Sequence, residues 1–267
     1  GKKITVMGLG LLGRGVRDAL FLAECGAEVL VTDLKSKTEL QTSLQKLSKY
    51  KSIKYIFGEH RLENFRNTDM ILKAAGVPLD SVYIKEAEKN NIPVEMSAAL
   101  FAKLSGIPMV GITGTRGKST VTHLTAHILE FAGKKVILGG NIRCISNLQL
   151  LKKVTGKEIA VFELDSWQLQ GFGDNKISPD ISVFTTFYPD HMGYYKDSMG
   201  NYFSDKSHIF NHHKDKDLLI VGKQALPFIK KFGGKIKGKM LVAKTELPKG
   251  FELQIKGEHN IYDAGLA

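Results

Sequence analysis

A chain of 267 residues, 43% hydrophobic and 24% charged, has room for one large or two ordinary domains and enough apolar content to bury a core. No apolar run approaches a membrane span and no signal peptide is evident; the only cysteines, Cys25 and Cys144, suit a reducing cytoplasm and exclude a cysteine-built zinc site. The formal net charge of +11 fits nucleic acid or small polyanions, but the lysines are scattered and form no basic helix or aromatic-interleaved RNA motif, which points to solvated lysines and small anionic ligands rather than nucleic acid or membrane.

The chain opens on a strand pattern, "KKITVMG", that ends in Gly8. A helical period follows through Leu12, Val16, Leu20 and Ala23, closed by Gly26, and a second strand, "EVLVTD", ends at Asp33. "DMILKAAG" reads as a strand, "VYIKEAEKNN" as a helix and "IPVEM" as a short strand. A helix over 97–106 leads into a new strand, "IPMVGIT", so a domain boundary is expected near Glu95, dividing the chain into 1–95 and 96–267. The second half repeats the alternation: a helix over 119–132, strands "KVIL", "EIAVFELD" and "DISVFTT", a helix over 200–213 and strand "DLLIVG". The tail holds strand-like pieces and the start of a further helix, from which the sequence is expected to be part of a longer protein. Strands alternating with helices predict an α/β fold with parallel sheets covered on both faces.

Two glycine loops carry the chemistry. Gly8, Gly10 and Gly13 spell G-x-G-x-x-G between a strand and a helix, with Asp33 twenty residues beyond the last glycine. Such a turn lets the backbone approach a pyrophosphate at a helix N-terminus, and its direct reading is NAD, with Asp33 on the ribose; a ligand-free tight turn is the alternative. The second loop, "GITGTRGKST", has the Gly-Lys-Ser of a phosphate loop but Ile112 where the usual first glycine belongs. Its backbone N–H groups can wrap phosphates, Lys118 can reach the terminal ones, and the Ser119 or Thr120 hydroxyl can meet Mg²⁺. Glu163 and Asp165 end the apolar run "IAVFELD", where carboxylates suit a magnesium ion. His123 and His127, like His208 and His212, are spaced i, i+4 without the Glu of a zinc-protease motif and read as surface or packing residues. His191 follows a strand, on the side where α/β sheets bind ligands.

Together these motifs resemble the Mur ligases, ATP-dependent amide-forming enzymes of peptidoglycan synthesis, whose phosphate loop T-G-T-x-G-K-[ST] is matched by 113–119. Within that family the pattern is most similar to the D-glutamate-adding members: "GLGLLG", "GGNIR", "ELDSWQLQ", "DHM" and "GEHNIYDA" occur in that order over essentially the whole chain. The resemblance implies a Rossmann-like N-terminal domain that holds a UDP substrate rather than NAD, then a P-loop-type ATPase domain, with the family's third domain absent. It implies ATP contacts at Gly114, Thr115, Arg116, Gly117, Lys118, Ser119, Thr120, Asn260 and Asp263, with His259 also at the base end. It implies substrate contacts at Gly8, Gly10, Leu11, Leu12, Gly13, Asp33, Leu34, Lys35, Gly76, Asn141, Ser166 and Gln168. Magnesium would be held by Ser119, Glu163, His191 and a carbamylated Lys206, and Lys118, His191 and Lys206 would serve catalysis.

The implied substrates are UDP-N-acetylmuramoyl-L-alanine, D-glutamate and ATP, for a cytoplasmic monomer joining the first two through an acyl phosphate. Several positions depart from the family pattern: Arg116 and Asp263 stand where it has Asn, Asp165 where it has Ser, Leu34 replaces a polar residue, and "KAAGVP" replaces "SPG". The alternatives are another Mur or folylpolyglutamate-type ligase, a non-catalytic nucleotide-binding protein, and an NAD-dependent oxidoreductase.

Overall fold

The computed structural model describes residues 1–9, 13–78, 80–143, 145–244, 246, 250, 252–254 and 256–267; Gly10, Leu11 and Leu12 therefore lie outside the described residues. The chain forms two compact units, Gly1–Leu104 with Ile142–Lys153, and Ser105–Asn141 with Val154–Ala267. The sequence reading places a boundary near Glu95, whereas the units divide after Leu104 and a later segment returns to the first.

The first unit comprises β1 (Lys3–Met7), α1 (Arg14–Glu24), β2 (Glu28–Asp33), α2 (Gln41–Leu47), β3 (Ile53–Phe57), β4 (Met70–Lys73), α3 (Val82–Lys89), β5 (Val94–Glu95) and α4 (Ser97–Ser105). Its sheet is parallel, in the order β3-β2-β1-β4-β5. Side chains alternate across β1: Ile4 and Val6 pack with Val16, Ala19 and Leu22 of α1, and Met7 packs with Ile71, Ile84 and Ala87 around α3. The chain runs outward from β1 to β3, then crosses back to β4, so the strand order reverses between β1 and β4. The loops after those strands flank the crevice where such sheets take ligands.

The second unit comprises β6 (Met109–Thr113), α5 (Lys118–Phe131), β7 (Lys135–Gly140), β8 (Glu158–Glu163), α7 (Ser166–Asp174), β9 (Ile181–Phe184), α8 (Met199–Ser207), β10 (Leu218–Val221), α9 (Leu226–Phe232), β11 (Lys239–Val242) and α10 (Glu258–Ala264), while α6 (Asn147–Leu150) lies in the returning segment. Its parallel sheet has the order β11-β10-β9-β6-β8-β7. All of β6 is buried between β8 and β9, so the loop that follows it opens at the reversal of strand order. One face is closed by Val121, Ala126 and Leu266 against Val110, Ile112, Val161 and Val183. Elsewhere in this unit the rings of Phe184, Phe187, Tyr202 and Phe203 pack together. The helix expected over 200–213 ends at Ser207 because the next carbonyls turn to side chains, His208 O accepting from Ser178 at 2.8 Å and Ile209 O from Ser182 at 2.6 Å.

The segment Ile142–Lys153 rejoins the first unit through Leu148, which is buried with Val16 and Ala19. Ser146 caps α6 by accepting from the Gln149 N–H, and its hydroxyl donates to Asp18 on α1 at 2.5 Å. Burial raises the Asp18 carboxyl to about 6. A carboxyl whose pKa is higher folded than unfolded stabilises the fold below the unfolded value, and that contribution is lost as pH rises through 6. Asp18→Asn is therefore expected to raise the melting temperature at pH 8, by up to roughly 3 kcal/mol of stability, and to change little at pH 4. Equal effects at both pH values in calorimetric melts would exclude an ionised buried Asp18.

Candidate functional site

The loop after β6 is shaped by close approaches that only glycine permits. Gly114 has φ +145, and a Cβ there would stand 2.0 Å from Thr185 Oγ1; Gly117, at φ +84, begins α5. The segment after β9 fastens the loop: Thr115 N–H donates to Thr186 O at 2.7 Å, Arg116 N–H to Thr186 Oγ1 at 2.9 Å, and Thr185 Oγ1 to Arg116 O at 2.5 Å. Thr115 Oγ1 both donates to Tyr188 O and accepts from Tyr188 N–H. The result is a fixed glycine turn at the N-terminus of a long helix, a ready anion site.

Two lysines converge on this turn. Lys118 Nζ donates to Gly114 O at 3.0 Å and Thr115 O at 3.1 Å, and Lys206 Nζ donates to the same Gly114 O at 2.9 Å and more weakly to Thr113 Oγ1 at 3.4 Å. Burial lowers the Lys118 ammonium, opposed by Glu163, Asp165 and Asp190. Lys206 is 1% exposed, so it is not a solvated helix lysine; burial first, and the Lys118 charge second, bring it down to about 7. Its Nζ also lies 4.9 Å from the centre of the Tyr202 ring.

Glu163, at the end of β8, gathers the polar oxygens. Ser119 Oγ donates to its Oε2 at 2.6 Å, and Asn141 donates to its Oε1 at 3.3 Å from the side chain. Among the described residues, no group of three or more His, Cys, Asp or Glu side chains is gathered for a metal. A hydroxyl beside a carboxylate nevertheless suits Mg²⁺, which binds through one or two carboxylates and completes its shell with phosphate oxygens and water. The other expected ligands face elsewhere: Lys206 reaches the loop carbonyl, and His191, at φ +53, faces Asp190 and packs on Trp167 with ring centres 4.6 Å apart. Asp165, expected as a carboxylate for magnesium, also caps a helix. Its carboxylate accepts from Gln168 N–H at 2.7 Å, and the Gln168 side chain reaches back to Asp165 N–H. Serine caps a helix in the same way, which accounts for either residue at that position. Ser166, buried in the first turn of the same helix, bonds to Tyr195, whose hydroxyl donates to Asp205 at 2.9 Å.

Beside the loop lies a cleft of 590 Å³ lined by Arg116, Thr120, Tyr188, Gln224, His259 and Asp263 among others. The Asn260 amide donates to Lys256 O at 3.0 Å. Sequence reasoning missed Thr185, Thr186, Tyr188 and Gln224, because single residues in loops far along the chain carry no periodic signal.

In the first unit, Gly8 and Gly13 both have positive φ, and Gly13 begins α1. Asp33 is 6% exposed and accepts from Leu9 N–H at 2.8 Å and Lys35 N–H at 2.9 Å, so its carboxylate ties the glycine loop to the end of β2. Leu34 is 65% exposed next to it, and Gly76 lies in the turn after β4 with open space around its Cα.

Residues 112–246 match the Mur ligase middle domain, and residues 2–95 the N-terminal domain of MurD-like Mur ligases. The UDP-N-acetylmuramoylalanine–D-glutamate ligase of Borreliella burgdorferi (strain ZS7) is 36% identical over 87% of this chain and 50% of its own length. That of Roseiflexus sp. (strain RS-1) is 36% identical over 83% of this chain and 47% of its own. The chain thus spans about half the length of the curated relatives it matches. Among solved structures, the UDP-N-acetylmuramate:L-alanyl-γ-D-glutamyl-meso-diaminopimelate ligase of Neisseria meningitides superimposes with a TM-score of 0.61 at 15% identity, covering 98% of this chain and 90% of that one. The UDP-N-acetylmuramate–alanine ligase of Thermotoga maritima gives a TM-score of 0.51 at 24% identity, covering 83% and 49%.

Proposed function

This chain belongs to the Mur ligase family, and on that premise we propose that it carries the nucleotide and acyl-donor sites of an ATP-dependent ligase joining D-glutamate to UDP-N-acetylmuramoyl-L-alanine. The observation that carries the reading is the convergence of Lys118, Ser119 and Glu163 on one glycine turn at the N-terminus of α5.

In this mechanism the substrate carboxylate attacks the γ-phosphorus of ATP, giving an acyl phosphate and ADP. The amine of D-glutamate then attacks the acyl carbon and expels phosphate, leaving the amide. Both reactants in the first step are anions, so the protein's work is positioning and charge stabilisation. The loop N–H groups and Lys118 hold the triphosphate. Ser119 and Glu163 would hold Mg²⁺, which supplies positive charge to the phosphate oxygens. Asn141, bonded to Glu163, is assigned to orienting the acyl substrate. A carbamate on Lys206, whose Nζ lies at Gly114 O, would supply an anionic oxygen ligand for a second magnesium ion. The UDP pyrophosphate is assigned to the glycine turn before α1, with Asp33 holding that turn in shape.

The test is mass spectrometry of a reaction containing ATP, Mg²⁺, UDP-N-acetylmuramoyl-L-alanine and hydroxylamine, which intercepts an acyl phosphate as its hydroxamate. ADP and hydroxamate in equal amounts are expected. Binding is followed in parallel by the emission of Trp167, the single tryptophan, which packs on His191. No ADP together with quenching of added NADH fluorescence would overturn the ligase in favour of a dinucleotide enzyme.

A further inference from the structure

We propose that Asp263 is a positioning residue that braces the phosphate loop from outside and sets triphosphate affinity without reading the base; this rests on the loop being the triphosphate site.

The platform for the brace is fixed independently of the loop. Tyr262 Oη donates to Thr185 O at 2.9 Å and accepts from Gln224 N–H at 3.3 Å, and Leu266, one turn on, is buried with Val121 and Ala126. Asp263 lies between these two anchors and is 6% exposed. Its carboxylate lies against the end of the phosphate loop: a Cβ on Gly117 would stand 2.4 Å from its Oδ1. It also accepts a hydrogen bond from the Thr120 side chain. One buried anion, carried on the last helix, thus contacts both the residue that begins α5 and a residue of its first turn.

Negative charge near a helix N-terminus is favourable. Here it steadies the first turn of α5; the N–H groups of Thr115 and Arg116 are spent on Thr186, so the groups offered to phosphate are those of Gly117, Lys118 and Ser119 at the start of the helix. Asp263 also borders the neighbouring cleft, but at 6% exposed, with its carboxylate against Gly117 and bonded to Thr120, it offers little surface to a base there.

The experiment is calorimetric titration of the protein with Mg-ATP, Mg-GTP and Mg-tripolyphosphate. Asp263→Ala and Thr120→Val are each expected to weaken all three ligands by about tenfold, and the double variant no further than the first alone. Asp263→Asn, whose amide oxygen can still accept from Thr120, is expected to restore most of the loss. Thr120 is exposed, so its variant folds and keeps the test open if Asp263→Ala does not. A loss confined to ATP, or an altered ATP-to-GTP ratio with tripolyphosphate unaffected, makes Asp263 a base reader and overturns the brace. Unchanged affinity or additive losses overturn it as well. A wild-type protein that binds none of the three removes the phosphate-loop reading itself, and the brace falls with it.

Discussion

Lys118→Ala is expected to weaken Mg-ATP binding by about ten- to a hundredfold while the protein melts within a few degrees of the wild type. A charge-assisted hydrogen bond contributes roughly 1.5–3 kcal/mol, which sets that range. The melting temperature should hold because, among the described residues, the ammonium bonds to two carbonyls of its own loop, Gly114 O and Thr115 O, and its burial is already unfavourable to the charge. Those carbonyls can be rehydrated once the side chain is gone, and the loop remains fastened by Thr185 and Thr186. Isothermal titration calorimetry gives the affinity and a calorimetric melt gives the stability. Unchanged affinity would show that 114–119 is a structural turn. A protein that no longer folds would show that Lys118 is a packing residue instead.

The parts of this molecule legible in its sequence are those with a local cause. Each parallel strand, buried on both faces, reads as a short apolar run, and each glycine loop sits at the break between such a run and a helical period. That is why β1, α1, β2, β6, α5 and the loop between β6 and α5 stand where the pattern predicts. The stretch of α2 and β3 carries no such pattern: β3 is buried only at Ile53 and half-buried from Tyr55 on, so its alternation is blurred. The helix α7 is hidden for another reason. It contains Gly171 and Gly173, which read as breakers, yet Gly173 is where the His208 ring packs; a Cβ would stand 2.5 Å from it. The return of Ile142–Lys153 to the first unit rests on a four-residue helix whose Leu148 packs on α1 and on long-range pairs such as Ser146 with Asp18, 128 residues apart. No window along the chain spans such a contact.

The site follows the same division. Lys118, Ser119 and Glu163 were legible because a phosphate loop and a strand-end carboxylate have mechanical reasons for their spacing. Their neighbours were not, because the side chains that hold the loop, Thr185, Thr186 and Tyr188, are set by how β9 pairs with β6. Asp165 has a role that its place two residues after Glu163 does not announce: the helix that begins at Ser166 needs a cap, and one Asp165 oxygen meets that need.

Lys206→Met is expected to stabilise the fold while abolishing a modification on which the proposed chemistry depends. Burial holds the Lys206 ammonium near 7 in the folded protein, against 10.5 for an ordinary lysine. Between those values the unfolded chain binds the extra proton, so wild-type stability rises with pH from about 7 to about 10.5, and the cost of burying the charge is complete below 7. An uncharged methionine of similar length escapes that cost, on the order of a few kcal/mol. The melting-temperature gap between variant and wild type should be widest at pH 7 and below and should close toward pH 10; a gap independent of pH would mean that Lys206 has the same pKa in the folded and unfolded protein. The same lowered pKa makes the lysine reactive. At neutral pH a large share of its amine carries a free electron pair, which can attack carbon dioxide: the N–C bond forms, a C=O π pair moves to oxygen, and the nitrogen gives up a proton, leaving a carbamate. The product exchanges a cation for an anion beside Lys118 and so replaces repulsion at Gly114 O with attraction. Carbon-13 spectroscopy in labelled bicarbonate should therefore show one carbamate resonance in the wild type, strengthened by Mg²⁺ and missing in Lys206→Met. If the wild type shows no such resonance at any bicarbonate concentration, Lys206 acts as a buried amine bonded to the loop, and the second metal site has no ligand there.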